Sequence, residues 1–276
     1  MDYTGAMKRA YILACLVVCM VAGTIIFRDV VAHFVWQKWR MGAPAIMLDA
    51  HDAPLAMKIG NYYFGSAPVG DSIPAYDPQI AERAFSKALA IQPGILWAHY
   101  SLARIAFARG DFATALEEVN AELAANPENL RSLYVRGLIY GFRGFAGDLA
   151  LAEADLRAFV AWAPAEWAGY NDLAWILLRE GKYAETISVV DSASQKVPKA
   201  LQNPWLLNDR GLALLNLDRM SEAKVAFEQA REYAAELTSA DWRRAYSGND
   251  PMSAADGLTA FRAGIEQNLQ KAGGGS

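Results

Sequence analysis

The residue types that most often carry out acid–base, nucleophilic or metal chemistry are few and scattered in this sequence. The three histidines, His33, His51 and His99, lie far apart, and no HExxH motif or phosphate-binding glycine loop occurs. Cys15 and Cys19 lie in one apolar run, so the rest of the chain has no cysteine for a disulfide or a thiolate zinc site. The sequence therefore predicts no catalytic residue, no metal ligand and no cofactor, and we do not expect an enzyme.

The charge and composition narrow the class of partner. The formal net charge is −4 and no basic block occurs, so nucleic acid is not an expected partner. Hydrophobic residues make up 54% of the chain and charged residues 20%. That apolar share is high for an ordinary globular domain and indicates a membrane segment.

The apolar run near the N-terminus predicts a membrane anchor after a short tail of residues 1–9. No residue from Ala10 to Phe27 is charged, and a helix of that length spans about 27 Å, enough for the hydrocarbon core. Apolar character continues to Arg40, and Trp36 and Trp39 are typical of a membrane–water boundary. We therefore expect a transmembrane helix with an interfacial extension over residues 10–40, which contacts the lipid bilayer through residues 10–27.

Other interpretations of the same run remain open. Lys8 and Arg9 before an apolar stretch also suit a cleaved signal peptide, and Cys15 could belong to a lipoprotein signal. However, the run is longer than a usual signal core, and its basic tail is similar to that of bacterial signal-anchors. The expectation is a single-pass protein of a bacterial inner membrane, with the repeats described next outside the cytoplasm.

The rest of the chain repeats with a period near 34 residues. Pro93, Pro127, Pro164 and Pro198 follow one another at steps of 34, 37 and 34 residues, and each ends a helical pattern. Two series of small residues and one of bulky apolar residues recur in step, which predicts helical hairpins that stack on one another. The series are Ala81, Ala115, Ala152, Thr186 and Ala223; Gly60, Ala103, Gly137, Ala174 and Gly211; and Phe85, Val119, Leu156, Val190 and Phe227.

These features resemble the tetratricopeptide repeat (TPR) family, whose unit of about 34 residues is a helix–turn–helix. The clearest unit runs from Leu96 to Asn129 with a Gly-Asp-Phe turn, and another runs from Trp167 to Pro198. The resemblance implies an all-α, right-handed α-solenoid of about five helix pairs over residues 52–236. We expect the transmembrane helix to precede this solenoid. A long inter-helix turn at residues 65–76 is interpreted as a tolerated insertion, and the alternative is a functional protrusion.

The segment after the repeats predicts a turn and a capping helix over residues 237–272. Residues 245–251 are rich in turn formers, and Leu258, Phe261, Ile265 and Leu269 form one apolar stripe. A solenoid needs a terminal unit that covers its exposed apolar face. The alternative is that this segment folds back into the groove of the repeats. The final Gly-Gly-Gly-Ser, residues 273–276, is interpreted as a flexible linker.

By the same resemblance, the first helices of successive units line a concave groove that binds a protein or peptide. Aromatic residues and arginine carry much of the binding energy at interfaces, and asparagine can hydrogen-bond to a peptide backbone. Trp97 and Trp205 lie close to helix starts, where they could instead be structural. The implied groove residues are Trp97, Tyr100, Arg104, Phe107, Arg131, Tyr134, Leu138, Phe142, Asn171, Trp175, Arg179, Trp205, Asn208, Leu212 and Asn216.

The sequence thus predicts a membrane-anchored scaffold or adaptor that binds a partner peptide or helix in its groove during assembly of an envelope complex. One alternative is a fixed structural subunit of a membrane protein complex. Another is a substrate-presenting accessory domain of an enzyme system.

Overall fold

The structure, a computed structural model, describes residues 12–20, 23, 27–65, 75–246 and 248–274. Within these ranges the chain is helical, contains no β-strand, and begins with a helical segment at residues 12–20. The long turn predicted at residues 65–76 falls mostly outside the described residues. The helices that follow are α1 (Arg28–Trp39), α2 (Gly42–Leu48), α3 (Ala53–Tyr63), α4 (Pro78–Ile91), α5 (Ala98–Ala108), α6 (Phe112–Ala125), α7 (Arg131–Arg143), α8 (Asp148–Trp162), α9 (Trp167–Arg179), α10 (Tyr183–Lys196), α11 (Pro204–Asn216), α12 (Met220–Glu236), α13 (Ser239–Ala245) and α14 (Ala254–Gly273), with short 3-10 turns at Ala200–Gln202 and Pro251–Ser253.

Capping residues set where several of these helices begin. The side chains of Asp77 and Asn203 each accept hydrogen bonds from two backbone amides in the first turns of α4 and α11. A proline follows each of these caps, and its fixed φ favours the first helical position. Asp111 caps α6 through a single backbone amide. The helix starts therefore follow from short polar residues in the sequence.

The paired helices α3–α4, α5–α6, α7–α8, α9–α10 and α11–α12 cross closely at positions of small residues. A Cβ atom built on Gly60 would lie 2.5 Å from Cε1 of Phe85, and one built on Gly137 would lie 2.8 Å from Cγ of Leu156. Any side chain at these two glycines would overlap the partner helix. Glycine is thus required where a large residue of the second helix packs against the backbone of the first.

The crossing residue is alanine where the facing residue is smaller. Ala103 lies in one buried cluster with Val119, and Ala174 lies in another with Val190. Valine is small enough to leave room for the methyl group of alanine, whereas phenylalanine and leucine are too large. The small and large series of the sequence are therefore matched in size, and the prediction of an all-helical repeat fold is confirmed.

Helix α1, predicted to lie at a membrane surface, instead packs on the first helix pair. Ala32, Val35 and Trp36 are buried in a cluster that includes Leu55 and Ile59 of α3. Trp36 is only 1% exposed. An apolar helix face can be buried either by lipid or by protein, and here the second arrangement is found.

Polar contacts fix the same helix to the repeats. Nε2 of His33 lies 2.6 Å from Oδ2 of Asp52, whose Oδ1 caps α3 by accepting from the amide of Leu55. Oδ1 of Asp29 accepts a hydrogen bond of 2.7 Å from the amide of Ala50. The predicted interfacial extension is therefore an N-terminal cap of the helical stack.

The predicted single-pass membrane topology is contradicted. None of the helices in the described ranges combines the length and the apolar content that a bilayer crossing requires. Part of the predicted span, residues 10, 11, 21, 22 and 24–26, lies outside the described residues. The expected bilayer contact through residues 10–27 and the placement of the repeats outside the cytoplasm thus have no support.

Helix α14 closes the other end of the stack. Its Ile265 is buried in a cluster with Ala230 and Ala234 of α12. Arg262 donates hydrogen bonds to the carbonyls of Ala234 and Leu237, at 2.9 and 2.8 Å, and so satisfies acceptors at the C-terminal end of α12. The segment therefore covers the last repeat, as a terminal cap must.

Candidate functional site

A cleft of about 790 Å³ runs along the first helices of successive pairs, α5, α7, α9 and α11. Residues spaced by three or four positions share one helix face, and so each helix presents a short row of side chains to it. Most of the groove residues implied by the repeat pattern line this cleft. They are Tyr100, Arg104, Phe107, Arg131, Tyr134, Leu138, Phe142, Asn171, Trp175, Trp205 and Asn208.

The other implied groove residues, Trp97, Arg179, Leu212 and Asn216, are placed elsewhere. Trp97 is the residue before α5, with a φ of 76°. Arg179 donates to the carbonyl of Gly141 and stacks on the ring of Trp175. Leu212 packs against the core between α11 and α12, and the amide of Asn216 donates to the backbone carbonyl of Leu212 at 2.8 Å.

A ladder of aromatic rings follows the cleft from repeat to repeat. The ring centroids of Phe107 and Phe142 lie 5.4 Å apart, and those of Phe142 and Trp175 lie 4.9 Å apart. Phe142 is 57% exposed despite these contacts. Each ring comes from the first helix of a different pair, so the cleft offers a continuous apolar strip.

A second aromatic cluster surrounds Trp205 near the start of α11. Its ring stacks between Trp167 and Phe261, with centroid distances of 5.1 and 5.3 Å. Trp242 and Tyr246 complete the cluster, and their own rings lie 4.5 Å apart. Three of these rings come from beyond the last repeat, so the C-terminal segment builds one wall of the cleft.

A row of polar side chains lies among these rings. The hydroxyl of Tyr134 in α7 donates a hydrogen bond of 2.6 Å to Oδ2 of Asp172 in α9. Asp209 of α11 is only 8% exposed, and its Oδ2 has no hydrogen-bond partner among the described residues. The cleft therefore contains two carboxyl groups that sit among aromatic residues.

Their surroundings change how these carboxyl groups titrate. Burial raises the pKa of Asp172 to about 6, although the hydrogen bonds from Tyr134 and Asn171 act in the opposite direction. Burial, and after it the nearby charge of Asp172, raises the pKa of Asp209 well above its usual value. Both carboxyl groups therefore retain protons at higher pH than an exposed aspartate does.

The other charged groups of the cleft have their own contacts. Arg131 pairs with Glu166 at 2.9 Å, and Arg244 pairs with Asp241. The guanidinium of Arg104 lies over the ring of Phe64 at 5.2 Å. Among the ion pairs formed by described residues, none includes Asp172 or Asp209. The titratable groups that line the cleft are Tyr100, Arg104, Arg131, Tyr134, Glu166, Asp172, Asp209, Asp241, Arg244 and Tyr246.

The loop after α13 crosses from the last repeat towards the first. The hydroxyl of Tyr76 donates to the carbonyl of Gly248 at 3.3 Å. Gly248 has a φ of 108°, and a Cβ atom there would lie 2.6 Å from Nη2 of Arg104, so only glycine fits. Nδ2 of Asn268 in α14 donates to Oδ1 of Asn208 at 3.1 Å. The C-terminal segment thus caps the stack and also enters the cleft, which combines the two alternatives left open by the sequence.

Sequence reasoning missed the acidic residues of the cleft and its C-terminal wall. Asp172 and Asp209 are 37 residues apart, and each lies two positions before a crossing residue, Ala174 or Gly211. The same position in the preceding repeat is Val135, which is 3% exposed. The repeat pattern could therefore have indicated that these two aspartates do not lie on a solvent-exposed helix face. No comparable signal places the loop around Gly248, because its position depends on how the repeats curve.

Comparisons with solved structures agree with this architecture. TTC0263, a thermophilic TPR protein of Thermus thermophilus, superimposes with a TM-score of 0.51 and 18% identity over 70% of this chain and 90% of its own. PilW, a widely conserved type IV pilus biogenesis factor, gives 0.55 and 16% over 81% and 94%. Pseudomonas aeruginosa PilF gives 0.51 and 17% over 72% and 86%.

The sequence itself is more distant from known proteins. No protein-family model matches it, and no curated protein matches it either. The likeness to solved structures therefore establishes architecture and nothing finer. The helix pairs, their matched crossings and these superpositions together establish that the chain has a tetratricopeptide-like fold.

Proposed function

We propose that this chain is a protein-interaction scaffold whose cleft binds one segment of a partner protein, either an extended peptide or a helix. The observation that carries the proposal is the aromatic ladder of Phe107, Phe142 and Trp175, which runs across three repeats in a cleft of about 790 Å³. Exposed aromatic side chains in a concave surface are the usual anchors of peptide recognition.

The exposure of the ladder supports a binding role over a purely structural one. Phe142 lines the cleft and makes ring contacts with two neighbouring aromatic residues, yet more than half of its surface remains exposed. Closing a partner side chain over that surface would remove it from water, at about 25 cal/mol for each Å² of apolar area. A row of such rings favours a partner segment with apolar residues on one side.

The predicted role in assembly of an envelope complex depended on the membrane anchor, which the structure does not support. PilW is described as a pilus biogenesis factor, but a likeness at 16% identity does not carry that role to this chain. The partner is therefore proposed by chemistry alone, as a protein segment with apolar anchor residues.

The test is selection of displayed random peptides on the immobilised full chain. Peptides that bind the wild type should lose about tenfold or more in affinity when Phe142→Ala and Trp175→Ala are combined, because the anchor pocket is removed. Phe145→Ala is the matched control, since Phe145 is similarly exposed but lies outside the cleft. Helical circular dichroism should be unchanged in both variants. Affinities that are equal for the cleft variant and the control would refute the proposal.

A further inference from the structure

The two acidic residues of the cleft occupy a repeat position at which the two repeats before them have buried, uncharged side chains, while the first pair has the exposed Lys58. In the two preceding repeats the equivalent residues are Ser101, 5% exposed, and Val135, 3% exposed. In the last two they are Asp172 and Asp209. A buried carboxyl group is costly unless it is paired, and packing against the neighbouring helix does not require one here.

Asp209 is the clearer of the two cases. It is more than nine-tenths buried, it lines the cleft, and its Oδ2 has no partner in the part of the chain that the structure describes. Buried polar atoms in proteins almost always have a partner, so an exception next to a cleft indicates a ligand group. An unpartnered acceptor oxygen of this kind can accept a hydrogen bond from a ligand, and a carboxyl group binds a positively charged donor most strongly.

The walls around the carboxyl groups suit the same kind of ligand. Trp205 and Tyr246 have ring centroids 6.2 Å apart and line the cleft beside Asp209. The faces of aromatic rings attract ammonium and guanidinium groups. Among the arginines that line the cleft, Arg131 and Arg244 are paired with Glu166 and Asp241. The guanidinium of Arg104 lies over the rings of Phe64 and Tyr100.

We propose that Asp172 and Asp209 bind the positively charged side chain of a lysine or arginine in the partner segment that occupies the cleft. This inference rests on the proposed function and specifies the partner's chemistry. The aliphatic stem of that side chain packs between the rings, and its charged end reaches the two carboxyl groups. The cation supplies the hydrogen-bond donors that Oδ2 of Asp209 lacks. The apolar ladder and the acidic pair together select a segment with apolar anchors and one basic residue.

The interaction depends on pH because a cation binds the ionised carboxyl groups. In the empty cleft their elevated pKa values keep them partly protonated, so binding releases protons and tightens as the pH rises. The groups that face them are Tyr134 from α7 and Tyr246 from the C-terminal loop, whose own pKa values are raised by burial and which stay neutral in this range. Tyr100 and Arg104 of α5, together with the paired charges Arg131–Glu166 and Asp241–Arg244, complete the titratable groups that line the cleft.

The experiment repeats the peptide selection on the full-length wild type, on Asp209→Asn and on Asp218→Asn. Asp218 is exposed and has a φ of 58°, which asparagine tolerates well, so its variant is a matched loss of one negative charge outside the cleft. Each selected peptide is then resynthesised with norleucine in place of its lysine or arginine. Affinities are measured calorimetrically at about pH 5.5 and about pH 8, which lie below and above the pKa of about 6 of Asp172. Asp172→Asn serves as a second cleft variant if Asp209→Asn does not fold.

The expected result is enrichment of lysine or arginine at one position in peptides that bind the wild type and Asp218→Asn. Norleucine at that position should weaken binding to the wild type about tenfold but leave binding to Asp209→Asn within about twofold. If the selected peptides have no enriched basic residue, or if norleucine weakens binding to Asp209→Asn as much as to the wild type, the proposed cation site is refuted. The scaffold proposal stands in both cases. Absence of any cleft-dependent peptide for the wild type overturns both.

Discussion

Gly211 in α11 and Phe227 in α12 are in direct contact, and a Cβ atom on Gly211 would lie 2.6 Å from Cδ1 of the phenylalanine ring. Phe227 is fully buried, so its ring has no exposed surface. The same arrangement occurs at Gly60 and Phe85 in the first pair. The close approach of the two helices in these pairs is therefore set by one glycine.

Gly211→Ala should destabilise the protein by about 1–3 kcal/mol despite the better helix propensity of alanine, because the added methyl group overlaps the ring. Phe227→Val alone should cost about 2–4 kcal/mol through the cavity that it leaves. The double variant reproduces the Ala–Val crossing found at Ala103 and Val119. We therefore expect it to be more stable than the sum of the single effects by at least about 1 kcal/mol, as measured by urea unfolding. Strict additivity would contradict the size match.

Trp36→Ala should destabilise the protein by about 3–5 kcal/mol, because Trp36 is almost fully buried against the first repeat. Trp39→Ala is the control, since Trp39 lies on the same helix and is 57% exposed. Its effect should stay within about 0.5 kcal/mol. Thermal and urea unfolding of the full chain measure both. Equal effects of the two substitutions would show that α1 does not pack on the repeats in solution.

The raised pKa of Asp172 predicts a pH-dependent stability. Below about pH 4 the carboxyl group is protonated in both folded and unfolded chains, and its protonated form is accommodated. Between about pH 4 and pH 6 the unfolded chain releases the proton while the folded chain retains it, so the free energy of unfolding falls. Asp172→Asn removes this loss.

The stability of Asp172→Asn relative to the wild type should therefore increase from about pH 4 to about pH 7, by an amount on the order of 2 kcal/mol. Asparagine keeps an acceptor for the hydroxyl of Tyr134. Urea unfolding at several pH values measures the difference, and Asp218→Asn is the control for the loss of one negative charge outside the cleft. A difference that is constant across the pH range would mean that Asp172 titrates as an exposed aspartate does.

Glu122 in α6 satisfies the start of α5 from a neighbouring helix. Its fully buried carboxylate accepts hydrogen bonds from the backbone amides of Trp97 and Tyr100, at 3.0 and 3.1 Å, and from the side chain of Asn129 at 2.9 Å. Glu122→Ala leaves these donors without a partner and should cost about 3 kcal/mol or more.

Glu117→Ala provides the comparison for this substitution, because Glu117 is exposed on the same helix. Its effect on the free energy of unfolding should be within about 0.5 kcal/mol. Hydrogen exchange should be faster at the amides of Trp97 and Tyr100 in Glu122→Ala only. Unchanged exchange at those two amides would contradict the capping role.

The repeat architecture could be predicted from the sequence because it depends on local periodicity. The matched series of small and large residues indicated where helices cross. The three- and four-residue spacing placed side chains such as Tyr134 and Trp175 on the face of their own helix that lines the cleft. Whether those side chains bind a partner stays a prediction.

Other features depend on arrangements that local patterns do not encode. The apolar residues of α1 could have been buried by lipid or by protein, and hydropathy treats the two alike. Trp97 has a positive φ at a helix start and is not among the residues that line the cleft. No local pattern marks Asp209 as buried, yet it is only 8% exposed and lines the cleft together with residues of the C-terminal segment.

The contact between Tyr76 and Gly248 joins residues that are 172 positions apart in the chain. In an ordinary solenoid each unit touches only its neighbours, so either end can fray while the other stays folded. Here the first and last units share a contact, and loosening one end removes support from the other. Because this contact links the two ends of the stack, we expect the protein to unfold in a single cooperative step.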